Sequence, residues 1–336
     1  MSGFLDQMAA SSTARYAAAL AAAPLAEVRA AALARAPAPP LRLDGRFDLI
    51  AELKLRSPAL GQLGTLQQDD ALEQRVAAYA RGGAAAVSVL TEPDRFDGSL
   101  EHLRRAVAVL DPLGVPAMRK DFLVAPYQLY EARAAGAGGA LLIVRMLPAA
   151  VLEEMLDVAA ELGLWILLEA FDEADIAVMN ALVARRQTQT GLLLGVNSRD
   201  LQTLQVVPER LLTMANLLPA HLPRVAESGV GNAADAAAMA RAGWTMALVG
   251  TALMSATAGA EPLAQAMLAA ARESREQAPS HKEPIVTVGG SLLPTLPGGS
   301  ELARDSTAAT CGSELARDST AATCGSELAR DAGGGA

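Results

Sequence analysis

Cysteine is almost missing from this sequence. Only Cys311 and Cys324 occur among 336 residues, both close to the C-terminus. The body of the chain therefore has no disulfide framework, no thiolate nucleophile and no cysteine metal ligand. Histidine is nearly as scarce. His102, His221 and His281 lie far apart and form no ligand spacing such as HExxH. Metal hydrolysis and Ser–His–Asp chemistry are poorly supported, and no metal site is expected. Positive charge is in deficit: 28 Lys plus Arg stand against 37 Asp plus Glu, a net charge of −9. A global cationic field for nucleic acid is absent, which leaves room only for a local cationic pocket. Long apolar runs are lacking too. None reaches the roughly 18 residues of a membrane span. Residues 1–10 show no basic start followed by an apolar stretch and a cleavage site. A cytoplasmic protein that engages neither nucleic acid nor membrane is expected.

What the chain does hold is apolar mass: 51% hydrophobic residues, with 19% charged and only 3% aromatic. That composition and length support a large buried core. From about Leu49, short apolar runs of strand length alternate with helix-period segments. The runs are Leu49–Leu53, Ala85–Leu90, Val115–Met118, Ala140–Val144, Trp165–Leu168, Leu192–Val196, Arg224–Ala226 and Met246–Val249. Helix-like stretches separate them, among them Ala71–Ala80, Ala149–Leu162, Pro208–Leu217 and Pro262–Ala271. Eight strands alternating with helices predict an α/β fold, a parallel sheet closed into a (β/α)8 TIM barrel. An open doubly wound sheet is the alternative, but no GxGxxG follows the first run.

Residues 4–36 read as a helical extension that breaks at Pro37, Pro39 and Pro40. The expected organisation is an N-terminal helical extension over 1–46, a catalytic barrel over 47–273 and a low-complexity tail over 274–336. In that tail GSELARDSTAATC runs from Gly299 to Cys311, repeats from Gly312 to Cys324 and begins again at Gly325. The repeats have too few large apolar side chains to build a core, and disorder is expected there.

Lysine is the informative rarity. Lys54, Lys120 and Lys282 are the only three among 28 basic residues. In a chain rich in Ala, Arg and Gly, arginine takes the positions where a fixed charge suffices. A lysine that remains is a candidate for work arginine cannot do, because a desolvated ammonium can lose its proton and a guanidinium cannot. Lys282 sits in a polar stretch and is discounted. Lys54 and Lys120 each end an apolar run, LIAELK and VPAMRK. Chance survival is the plainer alternative.

In a barrel of this class the site lies at the carboxyl ends of the strands. The first run ends in Glu52 and Lys54, followed by Ser57, the third is followed by Lys120, Asp121 and Phe122, and the fifth by Glu169. Asn197 and Arg199 follow the sixth, Glu227, Ser228 and Gly229 the seventh, and Gly250 and Thr251 the eighth. Glu52 and Lys54 are two apart and so share one face of their strand. Gly229, with Gly250 and Thr251 entering a short helix, fits a phosphate seat of backbone N–H groups. Each feature has a bland reading: a structural ion pair for Glu52 and Lys54, a rim carboxylate for Glu169, a turn cap for Asn197, a core ring for Phe122. Their recurrence at six strand ends in order favours a site.

At this point the chain resembles the indole-3-glycerol-phosphate synthase family. The stretches that carry the resemblance are IAELKLRSP at 50–58, SVLTEPDRFDGSLEHL at 88–103 and RKDF at 119–122. LLEAFDE at 167–173, GVNSRDL at 195–201, AESGV at 226–230 and LVGTALM at 248–254 continue it. It spans about residues 4–272, the N-terminal extension included. The resemblance implies ring closure of a carboxyphenylamino-deoxyribulose phosphate to indole-3-glycerol phosphate, with loss of carbon dioxide and water and without metal or organic cofactor. By motif it makes Lys120 and Lys54 the acid candidates and Glu169 the partner for dehydration. Glu52 and Asn197 hold substrate hydroxyls and the lysines, and Glu227 binds a hydroxyl. Ser57, Ser228, Gly229, Gly250 and Thr251 surround the phosphate. Arg199, Phe96, Phe122 and Leu141 shape the anthraniloyl pocket. The partner it implies is a small phosphorylated substrate, with the chain a monomer or weak homo-oligomer.

The chain departs from the family pattern in places. Leu55 stands where Arg is usual, with Arg56 one place on. The first loop reads Ser57-Pro58-Ala59-Leu60-Gly61, without a lysine. Ser198 replaces an Asn, and Phe171 a His. These changes keep open a paralogous phosphosugar enzyme of a specialised pathway; a non-catalytic binding barrel is the third reading.

Overall fold

The strands are buried on both faces, and the layer that each residue enters follows the two-residue period. In β1 (Asp48–Leu53), Leu49, Ala51 and Leu53 pack outward in the layer shared with the helices, while Ile50 points into the barrel. Seven further strands repeat this arrangement: β2 (Ala86–Leu90), β3 (Ala117–Lys120), β4 (Gly139–Ile143), β5 (Trp165–Ala170), β6 (Leu192–Asn197), β7 (Arg224–Glu227) and β8 (Met246–Val249). All neighbours are parallel, β8 pairs with β1, and β6 pairs with β7, so the eight strands close into a barrel. The TIM barrel expected from the eight apolar runs is the fold. The computed structural model describes residues 3–63, 71–186, 191–200, 203, 205–277 and 287–288. His281, Lys282, both cysteines and the 13-residue repeats lie outside the described residues.

Two apolar layers hold the barrel together. Inside, Ile50, Met118, Leu141, Leu167, Leu193, Val225 and Met246 fill the lumen. Outside, strand residues such as Val87, Leu142 and Leu194 meet Leu72, Val76, Leu103, Met155 and Met179 of the helices.

The N-terminal extension is two helices rather than one. The first, α1 (Phe4–Ala22), meets α2 (Leu25–Ala34) at 88°. Pro24 causes the break, since it has no N–H to donate and its ring clashes with the preceding turn. Hydrogen bonds help to pin α1 to the barrel. Arg15 forks onto Asp121 at 2.8 and 2.9 Å, Gln128 donates to Ser12 at 3.0 Å, and the Tyr127 hydroxyl donates to the carbonyls of Ala19 and Ala23 at 3.0 Å.

Two other segments differ from the sequence expectation. Residues Pro208–Leu217 form three short turns in place of one helix. Side chains from elsewhere take their carbonyls: Trp244 donates to Leu211 at 2.8 Å and Arg224 to Ala215 at 3.2 Å. The last helix, Ala260–Glu276, continues past residue 273, and Arg241 donates to its buried Ser274. Thr287–Val288 then pairs antiparallel with Leu41–Arg42. Among the described residues, no single helix is long and apolar enough to cross a membrane.

Candidate active site

The carboxyl ends of the strands surround a cavity of about 420 Å³. Lys54 and Lys120 enter it from different strands. Lys54 directly follows β1, two positions after Glu52, and pairs with it at 2.9 Å. Lys120, the last residue of β3, reaches across the lumen. Its ammonium lies 3.7 Å from Glu169 on β5 and 4.0 Å from Glu227 on β7. Asn197 at the end of β6 donates to the same Glu169 oxygen at 2.8 Å, and its own carbonyl oxygen accepts from the Arg199 N–H. Three carboxylates, two ammonium groups and one amide thus converge from five strands.

Electrostatics separates the three acids. Burial pushes the Glu52 carboxyl up, but Lys54 and Lys120, with help from Arg199, outweigh it and hold the group below its ordinary range. Glu227 goes the other way. Burial, then the neighbouring Glu169, raise it well above the usual carboxylate range, against the pull of Lys120. Among the described residues no N–H or hydroxyl donates to either oxygen of Glu227, and its carboxyl faces that of Glu169, with which a shared proton would be a hydrogen bond. Burial by itself would lower the Lys120 pKa. Glu169, Glu227 and Glu52 reverse that and raise it, so the side chain is a full cation at neutral pH.

One wall of the cavity is apolar. Phe122 meets Phe96 at 6.1 Å and Phe4 at 5.9 Å between ring centroids, and Leu141 and Ile143 of β4 also line the cavity. The opposite side carries Ser228, Gly229, Gly250 and Thr251. Ser228 takes a left-handed backbone conformation at φ 65°, unusual without glycine, and Gly229 follows at 84°. Ser198 secures this turn: its N–H donates to the Glu227 carbonyl at 3.0 Å and its hydroxyl to the Ser228 carbonyl at 3.2 Å.

Of the residues singled out in the sequence, all but Ser57 line the cavity. Ser57 is buried in a short ribbon, where its hydroxyl accepts from the Ala59 N–H. Asp121 does touch the cavity, yet its carboxylate is bound by Arg15, Arg119 and Thr91. Burial alone would raise it; those partners bring it down to about 2. Sequence reasoning missed Phe4 and Leu5 of the N-terminal helix, because nothing local marks a helix residue that reaches a distant strand end. It also missed the structural role of Asp121, which the adjacent Lys120 disguised.

The sequence model of the indole-3-glycerol phosphate synthase family matches residues 5–265. The chain belongs to that family. Indole-3-glycerol phosphate synthase of Mycobacterium leprae (strain Br4923) is 44% identical over 236 residues, 68% of this chain and 81% of that protein. The synthase of Nocardioides sp. (strain ATCC BAA-499 / JS614) is 43% identical over 234 residues, 68% and 85% of the two chains. Among solved structures, 3-hexulose-6-phosphate synthase from Salmonella typhimurium aligns with a TM-score of 0.52 at 12% identity, over 68% of this chain and 100% of that one. At such low identity the likeness concerns the barrel alone.

The departures from the indole-3-glycerol phosphate synthase pattern have physical settings here. Leu55 is buried in the outer layer, and Arg56 reaches Asp97 at 3.5 Å, beside Phe96. Leu60 is 65% exposed at the cavity mouth. Phe171 is buried in the cavity wall, with the Arg145 guanidinium 5.2 Å above its ring.

Proposed function

We infer that this cavity closes the indole ring. It converts 1-(2-carboxyphenylamino)-1-deoxyribulose 5-phosphate to indole-3-glycerol phosphate, releasing carbon dioxide and water, in tryptophan biosynthesis. The observation that carries the reading is the Lys120 ammonium, held between Glu169 and Glu227 beneath an aromatic wall.

Ring closure joins an aromatic carbon to the ribulose carbonyl, whose oxygen must gain a proton. Lys120 supplies it. Its carboxylate neighbours keep the donor charged, and an alkoxide is a stronger base than an amine, so the transfer still runs toward the alcohol. The ring carbon that attacks bears the carboxylate, and loss of carbon dioxide restores the aromatic ring. The walls formed by Phe4, Phe96, Phe122 and Leu141 hold the anthraniloyl ring in this step, with Arg199 beside them. Dehydration then removes the new hydroxyl. Glu169, oriented by Asn197, takes the proton from the substrate, and Lys54, paired with Glu52, gives one to the departing hydroxyl. Glu227 binds a substrate hydroxyl, and backbone N–H groups of Ser228, Gly229, Gly250 and Thr251 receive the phosphate. A cytoplasmic location accords with a biosynthetic step of this kind. Every group named comes from one chain, so a monomer or weak homo-oligomer suffices.

The test is direct. Purified protein mixed with the synthetic substrate should develop indole fluorescence and release one carbon dioxide per indole formed. Folded protein that yields neither overturns the reading.

A further inference from the structure

Among the described residues no N–H or hydroxyl donates to the carboxyl of Glu227. Glu169 and Lys120 hold it from the side, and the neighbouring strand supplies the space that lets it lie there. Gly195 lies in β6, in register with Val225 on one side and with Glu169 on the other. A Cβ at this position would collide with Oε1 of Glu227 and lie 3.3 Å from its Cδ; it would also lie 2.9 Å from Cδ1 of Leu167. The missing side chain is the space in which the carboxyl rests. The φ angle of Gly195 is not left-handed, so its backbone does not require glycine. The same device recurs once more. A Cβ at Gly250, beside β1, would collide with Oε1 of Glu52 and lie 3.1 Å from its Cδ. Because Gly250 also borders the proposed phosphate seat, Gly195 is the cleaner case.

We propose that Gly195 is a positioning residue, which seats the Glu227 carboxyl beside Glu169 and Lys120 by leaving out a side chain. The proposal rests on the ring-closing reading above. With a methyl group at 195, Glu227 swings away from the two groups it must face, while the substrate phosphate and aromatic contacts stay in place. A misplacement of about 1 Å at a reacting centre costs on the order of 100-fold. The loss belongs in kcat rather than KM.

The test is a double-mutant cycle on the full chain, with kcat, KM and thermal unfolding measured for each variant. Gly195→Ala should lower kcat about 10- to 100-fold with KM changed by less than about threefold. Glu227→Asp shortens the side chain and withdraws it from the position of the new methyl group. The double variant Gly195→Ala/Glu227→Asp should therefore be no slower than Glu227→Asp alone, within about twofold. A wild-type kcat for Gly195→Ala, or losses that multiply in the double variant, overturns the proposal. Should Gly195→Ala fail to fold, the cycle is run in a Leu167→Ala background, where the collision with Glu227 remains and the same two outcomes decide. Wild-type protein that forms no indole overturns the ring-closing reading itself. Turnover by the wild type with multiplying losses overturns only the role of Gly195.

Discussion

At the scale of single residues, Lys120 carries the chemistry because of what surrounds it. A lysine at a strand end is unremarkable in water. Here three carboxylates keep it charged inside a largely buried cavity. Lys120→Arg preserves that charge but not the ability to give up a proton, since the guanidinium pKa exceeds roughly 12. The variant should lose about 10²–10⁴-fold in kcat, with circular dichroism unchanged and KM altered much less. A rate near wild type would remove Lys120 from the role of proton donor and transfer it to Lys54. Both lysines stood out in the sequence through scarcity alone. The partition among Glu52, Glu169 and Glu227 did not, because the direction of each titration depends on which charges the barrel brings near it.

At the scale of elements, the N-terminal helix does more than extend the barrel. It contributes Phe4 and Leu5 to the cavity wall, and its docking depends on Arg15 bound to the carboxylate next to Lys120 in sequence. Asp121 keeps Arg119 and Thr91 when Arg15 is removed. Arg15→Ala should therefore destabilise the fold only moderately, by about 1–3 kcal/mol, at the low end because Arg15 is partly exposed. The kinetic effect should be larger on KM than on kcat, since a loosened helix withdraws aromatic wall and leaves Lys120 and Glu169 in place. Steady-state kinetics together with urea unfolding check both parts. An unchanged KM would mean that Phe4 and Leu5 contribute nothing to substrate binding. The sequence marked residues 4–36 as helical but not as a wall of the site. Amphipathic spacing shows which face of a helix seeks burial, not what it is buried against.

For the molecule as a whole, stability should depend on pH through Asp48. This residue is buried at the start of β1, near Asp44, with Arg272 3.8 Å away. Burial, then Asp44, raise its pKa to about 7, against the opposing pull of Arg272. The folded state then holds a proton that the unfolded chain has released by about pH 4. Asp48 accordingly makes the protein less stable as pH rises from about 4 to about 7, and its full cost applies above that. Asp48→Asn keeps an acceptor for the Asp44 N–H, which bonds Asp48 at 3.2 Å, and carries no charge to bury. It should raise stability at pH 8 by about 1–3 kcal/mol and change it little below pH 5. Equal shifts at pH 5 and pH 8 in chemical unfolding would count against this account.

The amino-acid order by itself determined the eight-strand alternation, because a short apolar run between helix-period segments is a local property that survives without knowledge of any partner. It also placed the site at the strand ends, since the barrel topology leaves one rim for loops that carry chemistry. Only the tertiary structure decided the rest. Pro208–Leu217 broke into short turns whose carbonyls accept from Trp244, 33 positions on, and from Arg224, nine positions on. Ser57 turned into its own ribbon and away from the cavity. Phe4 entered the aromatic wall from more than ninety positions before Phe96. Glu227 came to rest over a glycine two strand positions lower on the next strand. The Ser57 ribbon is a local turn; the seating of Phe4 and of Glu227 depends on distances between residues remote in sequence, and such distances are set only when packing closes the barrel.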